Sequence, residues 1–487
     1  MHSAKRFSRR AVLRVGTAAA AASVLAACGT TPAPTPAPAK PTEAPKPAAT
    51  TAPAAPAAAA TTAPTSAPAA GAATKPAAAA TTAPAAQPAA GGAAVSLRVA
   101  YWSSSPEDHN VFENVFKAFN EKNPNIKVTF DDVPSDGFDT KMQTEMAAGT
   151  PADAMELHPA WVLRFIQAKR LNDLTDRMKD DKNLYIPAQL DFWSDQGKIF
   201  GVPYYSGPSF IFYNKTLFKK VGAKTPDDYK AEGAWTWENL RKAAKDTTTG
   251  SGADKTLGWD GHDVDNMQFY FSVPVWDNGA ELLNKDETAW LVDQPGVVEV
   301  AQMHADMFLK DKSIPLPADL QGISWLFRTG RVGMAWAGKF RSIELANADF
   351  EIGIIGTPKG KTGPVNRDGP NASGLPVGTK YVDQAYQVAK FFGGPEAAPI
   401  YLATGRPVPV QKALLDSDVF KKSLKPYEKL EVYQESINTV RAWRVPGKGP
   451  EINRAWKAEW DKVLVGQQDI PTAMKNAKAA MDPLLKT

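Results

Sequence analysis

Cysteine occurs once in the 487 residues, at Cys28. The rest of the chain can therefore form no disulfide, no cysteine-based zinc site and no thiol nucleophile. The five histidines (2, 109, 158, 262 and 304) make no H-x-x-x-H or HExxH pair, so there is no zinc-hydrolase signature. G-x-S-x-G, a Walker A loop and a G-x-G-x-x-G opening a helix are also missing. No run of about 18 apolar residues follows residue 28, so no membrane span is expected after it. Residues 29–94 hold no aromatic and four charges (Lys40, Glu43, Lys46 and Lys75) among Ala, Pro, Thr and Gly, with 14 prolines. Such a stretch cannot bury enough apolar surface to offset its ordering entropy, and it reads as a disordered linker. The candidate globular region is 95–487, long enough for a sizeable core and too long for one compact domain to be the default.

Net charge is similarly uninformative at first sight. The formal value is +4, but residues 1–27 carry Lys5, Arg6, Arg9, Arg10 and Arg14 and no acid. Removing those five basic residues takes the charge to −1. A near-neutral body excludes a globally basic nucleic-acid binder. The segment itself reads as an address. Ser8-Arg9-Arg10-Ala11-Val12-Leu13 resembles a twin-arginine export signal, and Leu25-Ala26-Ala27-Cys28 resembles a bacterial lipobox. Cleavage before Cys28 and lipidation of its thiol are expected, which places the protein at the outer face of a cytoplasmic membrane. Several acyl chains bury many methylenes at about 0.8 kcal/mol each, enough for stable anchoring. Residues 28–94 would then tether the body, spanning roughly 45 Å as a coil and about 200 Å as polyproline II.

The body opens as strand, helix, strand, helix, strand. Leu97–Tyr101 is a buried strand. Val111, Phe112, Val115, Phe116 and Phe119 repeat at helical spacing. Ile126–Phe130 alternates, a helix is predicted near 137–148, and 152–157 makes a third strand. This order implies parallel βαβ units, whose ligands sit beyond the carboxyl ends of the strands. Further helices are predicted at 236–245, with Thr236 as N-cap, and at 297–310, 381–392 and 469–485.

Several later segments carry a resemblance. Gly201-Val202-Pro203-Tyr204-Tyr205, Phe210-Ile211-Phe212-Tyr213-Asn214-Lys215-Thr216-Leu217-Phe218 and Trp235-Thr236-Trp237-Glu238-Asn239-Leu240 follow one another. Phe327–Ala335, Ala385–Gly394 and Gly405-Arg406-Pro407-Val408-Pro409-Val410 complete the series. In order and spacing they resemble the extracellular solute-binding proteins of ABC importers, the large family that includes maltodextrin-binding proteins. The resemblance runs from about residue 96 to 482. It implies an α/β, two-lobe periplasmic-binding-protein-like fold of type II, with three crossings near Tyr204–Pro208, Ser373–Pro376 and Pro407–Pro409. Lobe 1 would comprise 95–205 and 375–407, and lobe 2 would comprise 206–374 and 408–487. It implies a monomer that captures a solute without turnover, delivers it to membrane permease subunits, and uses no cofactor or metal.

The body holds 13 Trp and 12 Tyr. Aromatic rings stack on the apolar C–H faces of pyranoses, while carboxylates, amides and guanidiniums bond the hydroxyls. That chemistry favours a sugar or oligosaccharide. In lobe 1 it selects Trp102, Ser103, Glu107 and Asp108 after the first strand, Asp132 after the second, and Glu156 and His158 after the third, with Tyr204 and Tyr205 at a crossing. In lobe 2 it selects Trp259 with Asp260, Trp276 with Asn278, and Trp336 with Phe340 and Arg341, and lastly Trp456. Trp235, Trp237, Trp290 and Trp325 read as structural. Arg406 could grip a carboxylate or fix its crossing. Glycerol phosphate, a polyamine held by Asp131/Asp132 and Asp260/Asp263, a metal, or a tethered glycan hydrolase are the alternatives.

Overall fold

The computed structural model describes residues 94–485 apart from 104–105, 135–136, 262–269, 321–322, 324, 445 and 447. Cys28, the signal-like segment, the linker and Asp263 lie outside the described residues, as do the side chains of Glu107 and Asp108. Among the described residues no helix is long and apolar enough to cross a membrane.

Among the described residues, nine strands build two main sheets. They are β1 (Val95–Ser103), β2 (Ile126–Pro134), β3 (Ala154–Leu157), β4 (Gly201–Tyr205), β5 (Ser209–Asn214), β6 (Leu257–Asp260), β7 (Val332–Gly338), β8 (Ile352–Ile355) and β9 (Asn371–Gly374). The first sheet has the order β2-β1-β3-β9-β4, and the second has β8-β5-β7-β6. β1 pairs in parallel with β2 and with β3, as the βαβ reading expects. The helix between β1 and β2, Pro106–Lys122, buries Phe112, Val115, Phe116 and Phe119. Every residue of β3 is buried, because both faces of this sheet are covered. The second sheet is largely antiparallel, with only β6 and β7 running parallel.

Strand β9 lies in the middle of the first sheet, antiparallel to β3 and β4. The chain has thus re-entered lobe 1 by Asn371, and its second crossing precedes the Ser373–Pro376 position read from the sequence. The physical reason is that Asn371–Gly374 is fully buried between two strands and has no room to act as a linker.

The three crossings meet at one knot. Ser206 and Val408 exchange backbone hydrogen bonds of 2.8 and 3.1 Å, joining the first and third. Asp368, on the second, accepts from the Gly207 N–H at 2.6 Å, from Gln189 at 2.5 Å and from the Ser206 hydroxyl. Burial raises the pKa of Asp368, and these three donors oppose the rise.

Helix starts follow local chemistry. Thr236 accepts the Asn239 N–H at 3.3 Å and caps Trp237–Asp246. Asp469 accepts the Thr472 N–H at 2.9 Å and caps Ile470–Met481, whose Pro471 sits in the first turn where it loses no helical bond. The helices Pro295–Leu309 and Val382–Phe392 occupy the predicted segments.

Candidate functional site

The carboxyl ends of β1 and β3 open into a cavity of about 420 Å³, bounded also by the crossings and by loops of the second sheet. Trp102 lies at the end of β1, Glu156 near the end of β3, and His158 just beyond it; all three line the cavity.

Glu156 is buried and organises the first-lobe wall. Its Oε2 accepts the Trp102 backbone N–H at 2.9 Å. Its Oε1 accepts from the Tyr204 hydroxyl and from the Asn371 amide. The carboxylate is therefore held by groups on β1, β4 and β9 at once. Burial, and next the negative charge of Glu156, push the Tyr204 phenol well above its ordinary pKa, so it remains a donor. Tyr204 stacks on Phe392 with ring centroids 4.2 Å apart and planes at 20°. Gly393 makes that approach possible: a Cβ there would lie 2.3 Å from the Pro203 carbonyl oxygen. The Trp102 ring is braced edge-on by Phe138 at 5.2 Å and by Trp161 at 6.0 Å.

His158 receives the Ala160 N–H on Nδ1 at 3.1 Å. Burial, and secondly the Arg367 charge, lower its pKa to about 4, so the ring is neutral at ordinary pH. With Nδ1 accepting, the proton of the neutral ring resides on Nε2.

The second-lobe wall comes from loops. Tyr270 lines the cavity and is backed by Trp336, 5.4 Å away and edge-on. Phe340 and Arg341 sit on the 3-10 turn Lys339–Leu345 that follows β7. That turn is anchored by an ion pair with no solvent exposure, Lys339 Nζ to Glu428 at 2.8 Å, and by the Ser342 hydroxyl donating to the same carboxylate at 2.6 Å. Phe340 is 39% exposed, so its ring is open to contact with a ligand.

Tyr205 also lines the cavity, so Trp102, Glu156, His158, Tyr204, Tyr205, Phe340 and Arg341 of the sequence candidates gather there. The others do not. Ser103 and Asp132 form a separate polar group with His109, at 2.8 Å or less from the Asp132 carboxylate. Asp132 holds His109 above its usual pKa. Trp259, Trp276, Trp336 and Trp456 are buried in the second-lobe core. Trp456 stacks on Trp460 at an interplanar angle of 9° and touches Phe271. Asp260 is buried and accepts the Phe327 N–H at 3.0 Å. Asn278 donates to the Gly296 carbonyl and to Glu299, beside a different cavity of about 640 Å³. The acids suggested for a polyamine are likewise apart: Asp131 pairs with Arg98 and Lys141. Among the described residues no cluster of three His, Cys, Asp or Glu could hold a metal.

Tyr270, Arg367, Asn371, Tyr401 and Thr404 line the cavity without having been singled out. Arg367 stands in Arg367-Asp368-Gly369-Pro370, a turn-like run before a short buried strand. That Gly-Pro signal was available, but it is a common one.

Comparison with known proteins agrees with this architecture. The sequence pattern of the family described as bacterial extracellular solute-binding protein matches residues 102–399. A Brucella abortus protein named as a binding protein is 26% identical over 402 residues, which is 80% of this chain and 93% of the relative. The sn-glycerol-3-phosphate-binding periplasmic protein of Brucella melitensis is 25% identical over 320 residues, 61% of this chain and 70% of the relative. The structure of an ABC substrate-binding protein from Listeria monocytogenes in complex with cycloalternan superposes with a TM-score of 0.70 at 23% identity, covering 80% of this chain and 98% of the other. With two lobes, three crossings meeting at one knot and a family match over most of the folded body, this chain belongs to the bacterial extracellular solute-binding proteins.

Proposed function

We propose that the protein is the capturing component of an ABC importer and that its cargo is a saccharide held between the two lobes. The observation that carries this reading is the cavity itself. Rings from both lobes (Trp102, Tyr205, Tyr270 and Phe340) surround polar groups that are already ordered around Glu156. Flat apolar faces beside fixed hydrogen-bonding groups match the two-sided chemistry of a pyranose. The volume lies within the range of small-molecule sites. The Listeria structural relative was solved in complex with cycloalternan, and a Bacillus subtilis relative is named an arabinooligosaccharide-binding protein, which supports this reading.

Capture follows from geometry. A ligand that touches both walls favours the closed arrangement by its differential affinity, and the knot at Asp368 is the hinge. The closed form docks on a permease, and a separate ATPase powers import. Export by the twin-arginine-like segment, lipidation at Cys28 and tethering by residues 28–94 would keep the body at the outer face of the membrane. The protein binds without turnover. Among the described residues Glu156 is the one carboxylate on the cavity wall, whereas glycoside hydrolysis ordinarily uses two.

The test is a thermal-shift screen of the full chain carrying Cys28→Ser, against sugars, polyols, phosphorylated glycerols, polyamines and Fe³⁺. A ligand at 100 times its Kd stabilises by about 2.7 kcal/mol. A selective rise with one saccharide class, without release of reducing sugar, is expected. A rise confined to a polyamine or Fe³⁺ would overturn the saccharide assignment.

A further inference from the structure

Asp277 ends the short helix Ser272–Asp277 and is fully buried. Its two carboxylate oxygens serve two different elements. Oδ2 accepts the indole N–H of Trp237 at 2.7 Å, and Oδ1 accepts the Val365 backbone N–H at 2.6 Å. The backbone around it is pinned as well. Thr362 gives its N–H to the Asp277 carbonyl at 3.1 Å and its hydroxyl to the Trp276 carbonyl at 3.0 Å. A Cβ on Gly360 would lie 2.3 Å from that Asp277 carbonyl oxygen, so the segment before the second crossing sits directly on the end of this helix.

Both bonds lead to the second-lobe wall of the cavity. Val365 stands two residues before Arg367, which lines the cavity and lies over the Tyr270 ring at 4.9 Å. The Trp237 ring is 5.4 Å from Trp336, and Trp336 is 5.4 Å from Tyr270. The carboxylate therefore closes a circuit on Tyr270, through Val365 and Arg367 on one side and through two indoles on the other. Its charge state decides whether the circuit holds. A proton on either oxygen puts a donor where an N–H already points, so one of the two bonds must weaken. Burial raises the Asp277 pKa to about 7, and the Trp237 and Val365 donors oppose the rise. The charges on the surrounding elements are engaged elsewhere or face solvent. Arg241 pairs with Asp306 and Asp311, Lys361 with Glu299, and Arg441 with Glu281. Glu238 and Lys359 are exposed, and His304 is bonded to the Val300 carbonyl.

We propose that Asp277 is a positioning residue for the second-lobe wall: ionised, it holds Tyr270 and Arg367 in place through Trp237 and Val365, and protonated, it releases them and weakens solute binding. This rests on the solute-capture reading and adds a pH control to it. Asp277 does not touch the solute, because it stands behind the rings that do.

The test follows the nitrogen–proton NMR resonances of the Trp237 indole and the Val365 and Arg367 amides between about pH 5 and 9. The sample is the full chain carrying Cys28→Ser, with no solute added. All three resonances are expected to shift with one common midpoint near 7. Asp277→Asn, which cannot ionise, should abolish the shifts, whereas His109→Gln, in the separate polar group of the first lobe, should leave them. Trp237 and Val365 resonances that do not titrate, or an Arg367 resonance that stays still while those two move, would overturn the positioning role. The unsubstituted side chain decides this even where Asp277→Asn fails to fold. Isothermal titration with maltose, maltotriose and cycloalternan at about pH 6 and 8 reads the consequence. A sugar that binds should bind up to about tenfold weaker at the lower pH, and equally at both in Asp277→Asn. Equal binding by the unsubstituted protein at both pH values would overturn the control. Binding of none of the three would count against the saccharide reading and leave the resonances to decide the role of Asp277.

Discussion

The two walls of the cavity are built differently. The first-lobe wall grows out of a sheet: Trp102 and Glu156 stand at the carboxyl ends of neighbouring parallel strands, and Glu156 is bonded to three elements of the same lobe. The second-lobe wall grows out of loops, where Tyr270 and the Phe340–Arg341 pair are braced from behind by Trp336 and by the buried Lys339–Glu428 pair. The difference separates two tasks. One wall is preordered, so it loses little side-chain entropy on binding. The other is presented on the lobe that must move. The second lobe's tryptophans supply the rigidity behind that movable surface, not the surface itself.

The contrast can be broken by substitutions, of which the core change should be the largest. Trp456→Ala removes a fully buried ring stacked on Trp460 and should cost about 3–5 kcal/mol in urea unfolding. The affinity of the folded fraction should stay as it was. Lost affinity at unchanged stability would move Trp456 from the core into the site. Glu156→Ala strands the buried donors of Tyr204 and Asn371, so it should destabilise by about 3 kcal/mol and weaken ligand binding more than about tenfold. Glu156→Gln, which keeps an acceptor oxygen, should be milder in both assays.

A smaller effect sharpens the comparison through pH. His304 is buried in the second-lobe core beside the Val300 carbonyl, and burial lowers its pKa to about 4. The unfolded chain takes up this proton near the ordinary value of about 6.5, so between about pH 6.5 and 4 it binds more protons than the folded one. Stability must therefore fall as pH falls through that window, by about 1.4 kcal/mol from this group at roughly pH 5.5. His304→Gln should flatten the stability profile there. An unchanged slope would show that His304 is already charged in the folded protein.

Legibility in the sequence divides along the same line as the walls. In lobe 1 the periodicity of 97–101, 126–130 and 152–157 marked parallel strands, and the strand-end rule then led directly to Trp102, Glu156 and His158. In lobe 2 no such rule applies, because an antiparallel sheet does not collect its loops at one end. Aromatic chemistry alone selected Trp259, Trp276, Trp336 and Trp456, yet a tryptophan's large apolar area serves a core at least as well as a sugar platform. Tyr270 carried no distinguishing neighbour. Asn371 acts from a strand only four residues long, too short for its period to be read. Arg406 was legible at its crossing, and it also lines the cavity.

The central claim is that one solute bridges both walls. Its most direct test is titration of a ligand found in the screen into Trp102→Ala and Tyr270→Ala, one substitution on each wall. Each is expected to weaken binding by more than about tenfold, with thermal unfolding of the free proteins little changed. Loss confined to one of the two variants would place the solute on a single lobe and contradict capture between them.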